Sequence, residues 1–492
     1  MTDEKTPSQP TRLDRPVLKL SPASKTDRPR KQSSRPPGKK LGQPAASRST
    51  TKRSTSKAGA NKDTTTLPQS RAIAYDILLA VDDGTQLDKA LAAHEGLPKL
   101  DVRDRKFVRL LVTTSLRHRG QIEKTIAPMM SRRPFGAQQS ANLILLLGAV
   151  QILILKTGAH AAVNSTVELM RTAGFERLCG LANAVMRRLS REGEARFQTT
   201  SHLDNLPDWL QKSWTFYWGS EAANSMASLA MRPPSLDITV RENPAEWAKR
   251  LDATVIDGYS LRRDFDGDPT QLDGFEKGEW WVQDIAAALP ARLMKIRPNQ
   301  QVIDLCAAPG GKTAQLVAAG AKVTAIDQNR KRLDRLRRNM KRLKMQANLV
   351  LADGTTFVPD WPVDAVLVDA PCSATGTVRR RPDILASRQP EDIVALQQLQ
   401  WQLTTHALGW LQPHGRLVYA TCSLQPEEGE DMIKAIIDGG DGQYALDPIT
   451  PEEVGIFAKS CTESGCVRIL PSDYQEIGGV DGFFVARIIR LG

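Results

Sequence analysis

Between Ser70 and about Ser190 the apolar positions recur with a helical period. Ile73, Ile77, Leu78 and Val81 mark one buried face, and Phe107, Leu110, Leu111 and Leu116 a second. Ile144–Leu155, Val163–Met170 and Leu181–Leu189 predict three more helices. No run in this region alternates like a strand, so a compact all-α bundle of about 120 residues is expected. Residues 200–295 are less regular. Leu236–Val240, after Pro233 and Pro234, and a run opening at Trp280 and Trp281 and ending at Gln283-Asp284 predict short strands of a small α+β linker domain. From Gln301 onward short apolar strands alternate with helices: strands at Val302–Leu305, Val323–Ile326, Leu349–Leu351, Ala365–Val368 and Leu417–Tyr419, and helices from Thr313, over Lys331–Leu343 and over Glu391–Leu408. Val467–Leu470 and Phe483–Ile489 add two strand candidates. This alternation predicts an α/β, Rossmann-like domain with a mostly parallel, doubly wound sheet. The expected organisation is a tail over 1–66, a bundle over 67–200, a linker over 201–295 and the α/β domain over 296–492.

Composition changes this picture mainly at the amino terminus. The chain has 492 residues, 41% hydrophobic and 25% charged, as in soluble globular proteins. Residues 1–66 hold 16 Lys/Arg and 5 Asp/Glu, which leaves only +1 of the net +12 to the other 426 residues. With no aromatic residue and much Pro, Ser and Thr, that segment is expected to be disordered. It reads equally as a basic arm for nucleic acid or as a solubilising leader. The first ten residues lack the apolar core of a secretory signal. Ile144–Leu155 falls short of the roughly 20 residues needed to span a membrane, so a buried helix is expected there. The six cysteines form no CxxC pair, and no HxxxH accompanies them, which points to reduced thiols in a cytoplasm and to no metal site.

The candidate chemistry sits at the strand ends, where this fold binds ligands. Gly311-Lys312-Thr313 resembles the end of a P-loop, but Cys306 stands where its first glycine belongs. What remains is a turn in which Gly310 and Gly311 let backbone approach a ligand closely. Asp327 follows that turn at the distance expected of a ribose-binding acid, and Asp353, closing the third strand, is placed to receive an adenine amino group. Asp369 is followed by Ala-Pro-Cys-Ser, a rigid turn aimed at the site. Cys372 and Cys422 follow the fourth and fifth strands. Cytosine C5 is a poor nucleophile until a thiolate adds to C6, so two cysteines beside a cofactor loop point to methylation of that carbon. These residues alone do not separate the roles of the two thiols.

Cys306–Lys312 (CAAPGGK), Asp369–Ser373 (DAPCS) and Thr421–Ser423 (TCS) together resemble the signature of the RNA cytosine-5 methyltransferases. Ala162-Val163-Asn164 and Ala182-Asn183-Ala184-Val185 resemble the helix signatures of a NusB-like RNA-binding domain fused in front of it. The resemblance runs from about residue 70 to the end. It implies S-adenosylmethionine as cofactor, held by Cys306, Ala307, Ala308, Pro309, Gly310, Gly311 and Lys312, with Asp327 on the ribose, Asp353 on the adenine, and Arg332 and Asp369 nearby. It further implies Cys422 as nucleophile, Cys372 as the thiol that assists product release, Asp369 on the cytosine ring and Lys312 as organiser of the site. The implied substrate is one cytosine, of the 967 type, in 16S ribosomal RNA, naked or in an early assembly intermediate, met by a cytoplasmic monomer. Arg241 and Asn243 resemble an RNA-contacting element, and Arg379, Arg380 and Arg381 suit phosphates. The basic Lys331–Lys344 helix is expected to be a solvated face. Gly429 and Ala286 depart from the family pattern, which expects Asn and Ser. A non-catalytic antitermination protein, a small-molecule methyltransferase and a transfer-RNA methyltransferase are the alternatives. Retention of both cysteines and all three aspartates argues against the first. The paired thiols argue against the second, because oxygen or nitrogen methylation needs none.

Overall fold

A computed structural model describes residues 69–492; the basic tail expected to be disordered, residues 1–66, lies outside the described residues. The first seven helices are Gln69–Asp82 (α1), Leu87–Ala93 (α2), Val102–Arg117 (α3), Arg119–Ile126 (α4), Ala141–Leu153 (α5), Ala159–Thr172 (α6) and Cys179–Phe197 (α7). Asp101 caps α3, its carboxylate accepting from the Asp104 N–H at 2.7 Å. The apolar run expected as a buried helix is α5, which is buried on nearly every side. A Cβ on Gly148 would stand 2.3 Å from Thr166 Oγ1, so only glycine lets α5 come this close to α6. Leu110 departs from expectation: it is 46% exposed, because one position back from Leu111 turns it about 100° off the buried face.

A 23-residue helix, Asp208–Ala230 (α8), follows and was not expected from the sequence. Gly219, at φ 82°, interrupts its register, and the Phe216-Tyr217-Trp218 run puts aromatic residues on consecutive faces, which hides the helical period. Next come Leu236–Val240 (β1), Pro244–Leu251 (α9), Thr254–Asp257 (β2), Ser260–Arg263 (β3), Trp280–Val282 (β4) and Ile285–Leu293 (α10). The strands form an antiparallel sheet in the order β2-β3-β1-β4. A buried ion pair within this sheet orients an arginine that also reaches the next domain. Arg262 donates to both oxygens of Asp237 at 2.6 and 2.7 Å and to Gly479 O at 2.7 Å.

The third layer contains Gln301–Leu305 (β5), Gly311–Ala318 (α11), Lys322–Asp327 (β6), Arg330–Leu343 (α12), Asn348–Leu351 (β7), Val363–Asp369 (β8), Ile384–Ser387 (α13), Pro390–Leu408 (α14), Leu411–Thr421 (β9), Glu430–Asp438 (α15) and Tyr444–Leu446 (β10). Val467–Ile469 (β11) and Phe483–Arg490 (β12) close the chain. The sheet order is β10-β12-β9-β8-β5-β6-β7, with β11 beside β12. Strands β5 to β9 are parallel and β12 runs antiparallel to β9, so the fold is the mostly parallel, Rossmann-like sheet read from the sequence. Its order reverses at β5, and the crevice beyond β5 is where such sheets bind ligands.

Arg262→Met leaves the Asp237 carboxylate buried without its partner. Urea denaturation is expected to show a loss of about 3–5 kcal/mol, largely restored by adding Asp237→Leu. A midpoint equal to wild type would mean that the pair does not fasten the linker.

Candidate active site

At the β5 switch point the chain turns sharply. Cys306 takes φ 63° and Gly310 φ 105°, conformations that direct the Cys306–Gly311 backbone around a hollow. Helix α12 grips this turn from outside: Arg332 donates to Ala308 O at 2.7 Å and Asn339 Nδ2 to Pro309 O at 2.8 Å. Asp327, ending β6, accepts from Asn329 N at 2.9 Å and lies 3.4 Å from Arg332. Asp353 is exposed, and two hydrogen bonds from Thr355 hold its carboxyl below the usual range. Beneath the turn, Asp304 is fully buried and accepts from Thr313 Oγ1 at 2.5 Å. Burial pushes its carboxyl up to about 7. Burial also drives the Cys306 thiol up to about 12, helped by Asp327 and Asp369. Lys312, in the first turn of α11, places Nζ 2.8 Å from Asp369 Oδ2.

The parallel pairing of β8 with β9 sets Asp369 opposite Ala420, and the Ala370 N–H donates to Ala420 O at 2.9 Å. Continuing from there, the two turns bring Cys372 Sγ and Cys422 Sγ to 3.5 Å. Cys372 is buried and Cys422 partly exposed. The contact with Cys422 and its own burial raise the Cys372 thiol well above the ordinary value, which keeps it a proton donor. Glu428, a residue the sequence reading passed over, holds the two turns together. Its carboxylate accepts from Ser373 N at 2.8 Å, from the Ser373 and Ser423 hydroxyls and from Gln400 Nε2 at 2.9 Å, with no exposure at all. The Gly429 departure has a packing reason: a Cβ there would lie 2.4 Å from Arg468 Nη2, whose guanidinium binds Ser423 O at 2.6 Å. Ala286 is fully buried in α10, and its N–H donates to Asp284. Helix α8 covers these turns, Trp214 packing beside Cys372 and Trp218 donating to Leu424 O at 3.2 Å.

The arginines after Cys372 divide. Arg379 is corrected from a phosphate contact to a structural residue: it is 5% exposed and its guanidinium donates to Gly478 O at 2.5 Å. Its carbonyl receives Arg117 Nη2 from the helical bundle at 2.8 Å. Arg380 bonds Asp481, yet lines the central cavity, while Arg381 lies 3.3 Å from Asp383. Arg241 donates to Leu343 O, tying β1 to the end of α12, and Asn243 takes φ 53° at the start of α9. The cavity, about 450 Å³, opens between β4 and α12, with Lys312, Asp369 and Gly310-Gly311 in its wall. Asp327 ends β6 and Asp353 follows the adjacent β7, both outside that cavity wall, and the glycines let a ligand meet backbone, a donor set that suits S-adenosylmethionine.

Comparison with known proteins agrees with this architecture. Residues 291–489 match the family described as 16S rRNA methyltransferase RsmB/F, and residues 68–191 match the NusB family. Ribosomal RNA small subunit methyltransferase B of Xylella fastidiosa is 35% identical over 436 residues, 85% of this chain and 97% of that protein. The same-named protein of Pseudomonas putida is 34% identical, over 86% and 98% respectively. Among solved structures, PH0851 superposes with a TM-score of 0.68 at 20% identity, covering 85% of this chain and 98% of its own. NSun6 from Pyrococcus horikoshii gives 0.51 at 20% identity, covering 58% and 98%; at such identities these two speak for the fold alone. With about a third of its residues shared with curated relatives over almost their whole length, the chain belongs to the ribosomal RNA small subunit methyltransferase B family and is an S-adenosylmethionine-dependent methyltransferase.

Proposed function

We propose that this enzyme methylates C5 of one cytosine, the 967-type site, in 16S ribosomal RNA through a transient bond between Cys422 and C6. The observation that carries the reading is the 3.5 Å approach of two thiols at adjacent strand ends, next to the Lys312–Asp369 pair. A methyltransferase acting on oxygen or nitrogen has no use for such a pair, whereas C5 of a pyrimidine must first gain electron density.

Cys422 is partly exposed and is the thiol that can reach a substrate, whereas Cys372 lies buried behind it. Cys422 reacts as the thiolate, its proton released to solvent; the sulfur adds to C6 and the C5–C6 electron pair becomes available at C5. Asp369, with Lys312 bonded to it, accepts from the N4 amino group of the cytosine and keeps the base in register. S-adenosylmethionine, when bound, would supply C5 with the methyl group from its sulfonium, which would leave as the neutral thioether. A base then removes the C5 proton, the C5–C6 double bond re-forms and the C6–S bond breaks, returning the sulfur to Cys422. Cys372, its nearest titratable neighbour, assists this release. Asp327 would hold the ribose, Asp353 the adenine, and Cys306 to Lys312 the methionine side. The target base is reached only if unstacked, since an A-form groove hides its edge. The helical bundle and the linker hold the surrounding RNA, with Arg241, Asn243, Arg380 and Arg381 as contacts.

Cys422→Ala is expected to abolish methyl transfer to unmodified 16S RNA while cofactor binding persists; turnover at the wild-type rate would overturn the nucleophile assignment. Cys372→Ala should accumulate a denaturation-resistant RNA–protein adduct on gels, and an active variant without adduct would remove the release role. Glu428→Gln must turn an N–H toward one of its donors and loosen both turns. Its kcat should fall about tenfold, some 1.4 kcal/mol, with unchanged affinity for the cofactor. Bisulfite mapping of 16S RNA from cells lacking the protein tests the target: a fully methylated cytosine at the 967-type position would exclude it.

A further inference from the structure

Helix α12 carries eight Lys or Arg residues in fourteen and one acidic residue, in a chain whose residues 67–492 net only +1. Solvated helices offset such density with carboxylates three or four positions away. Here Arg337 alone is bonded that way, to Asp334, and Arg332 is engaged with Asp327 and the cofactor turn. Lys331, Arg335 and Arg338 are exposed and have no carboxylate partner among the described residues. At a period of 3.6, Lys331, Arg335, Arg338 and Arg342 share one face, a stripe of roughly 16 Å.

The same face forms a wall of the central cavity through Arg335, Asn339 and Arg342. Opposite stand Phe275 and Val282, the latter 46% exposed although apolar. The Arg342 guanidinium lies over Phe275, 3.9 Å from the ring centre, while donating to Phe275 O at 2.6 Å, so ring and guanidinium hold each other in place. Asp327 and Asp353 are absent from this wall, which separates the cavity's outer part from the ribose and adenine acids. Cations in a row leading to a planar, partly apolar hollow match single-stranded nucleic acid, where phosphates follow the charge and bases stack.

We infer that this stripe and cavity seat the RNA strand flanking the target cytosine: Lys331, Arg335 and Arg338 take successive phosphates, and a neighbouring base enters between α12 and Val282. This replaces the solvated face expected of α12, and it rests on the RNA methyltransferase reading above.

The test uses full-length protein and unmodified 16S RNA over a range of salt concentrations. Lys331→Gln/Arg335→Gln/Arg338→Gln is expected to lower the slope of log K against log salt by about 0.7 per cation removed, about 2 in all. KM for RNA should rise, with kcat and cofactor affinity unchanged. Val282→Trp fills the cavity and should weaken RNA binding about tenfold without altering the slope. A triple variant with the wild-type slope would overturn the phosphate track, and a Val282→Trp protein with wild-type affinity would overturn the base seat. If wild type itself transfers no methyl to RNA, the RNA methyltransferase reading fails instead; transfer with an unchanged slope counts against the track alone.

Discussion

One buried carboxylate ties together the two turns that carry the thiols. Cys372 and Cys422 are 50 positions apart in the chain and leave different strands, and β8–β9 pairing ends just before either is reached. Beyond that point nothing in the regular sheet relates them. Glu428 does so by accepting from Ser373 on one turn and Ser423 on the other. Buried away from water, it gains hydrogen bonds it cannot exchange for solvent, and losing one leaves a desolvated group. The cysteines are therefore located by their neighbours in sequence, each a serine bonded to the same residue.

A second constraint comes from the arginines. Most cations near the site are engaged by the protein itself: Arg262 with Asp237, Arg468 with Glu430 and Ser423 O, Arg379 with Gly478 O. These pairs fasten the linker and the 478–481 segment around the catalytic turns and keep buried charge compensated. Arg117 extends the network into the helical bundle, which meets the segment following Cys372 directly. Against that background the unpaired row on α12 stands out, because charge left facing water beside a catalytic cavity has not been used for folding.

Much of this was legible in the primary structure. Strands β5, β6 and β7 are short apolar runs bounded by Gly, Asp or polar turns, and each was placed to within two residues. The other bundle helices showed their period because each buries one face, whereas α5, buried on nearly every side, showed as an unbroken apolar run. Helix α8 did not, since it contacts protein on several sides and is broken at Gly219. Strands β2, β3 and β10 escaped because their apolar signal is weak: β2 and β10 bury no residue fully, and half of β3 is arginine.

The amino-acid order by itself determined the fold class, placed the Gly310-Gly311 turn after the first strand of the parallel sheet and singled out Cys372 and Cys422 as candidates, because these depend on local period and on residue types that few other roles require. Tertiary structure alone decided which arginines face solvent, why Gly429 has no side chain, and which cysteine is buried. Those properties arise from contacts between segments far apart in the chain, where a guanidinium's partner or a thiol's exposure is set by packing rather than by adjacent residues.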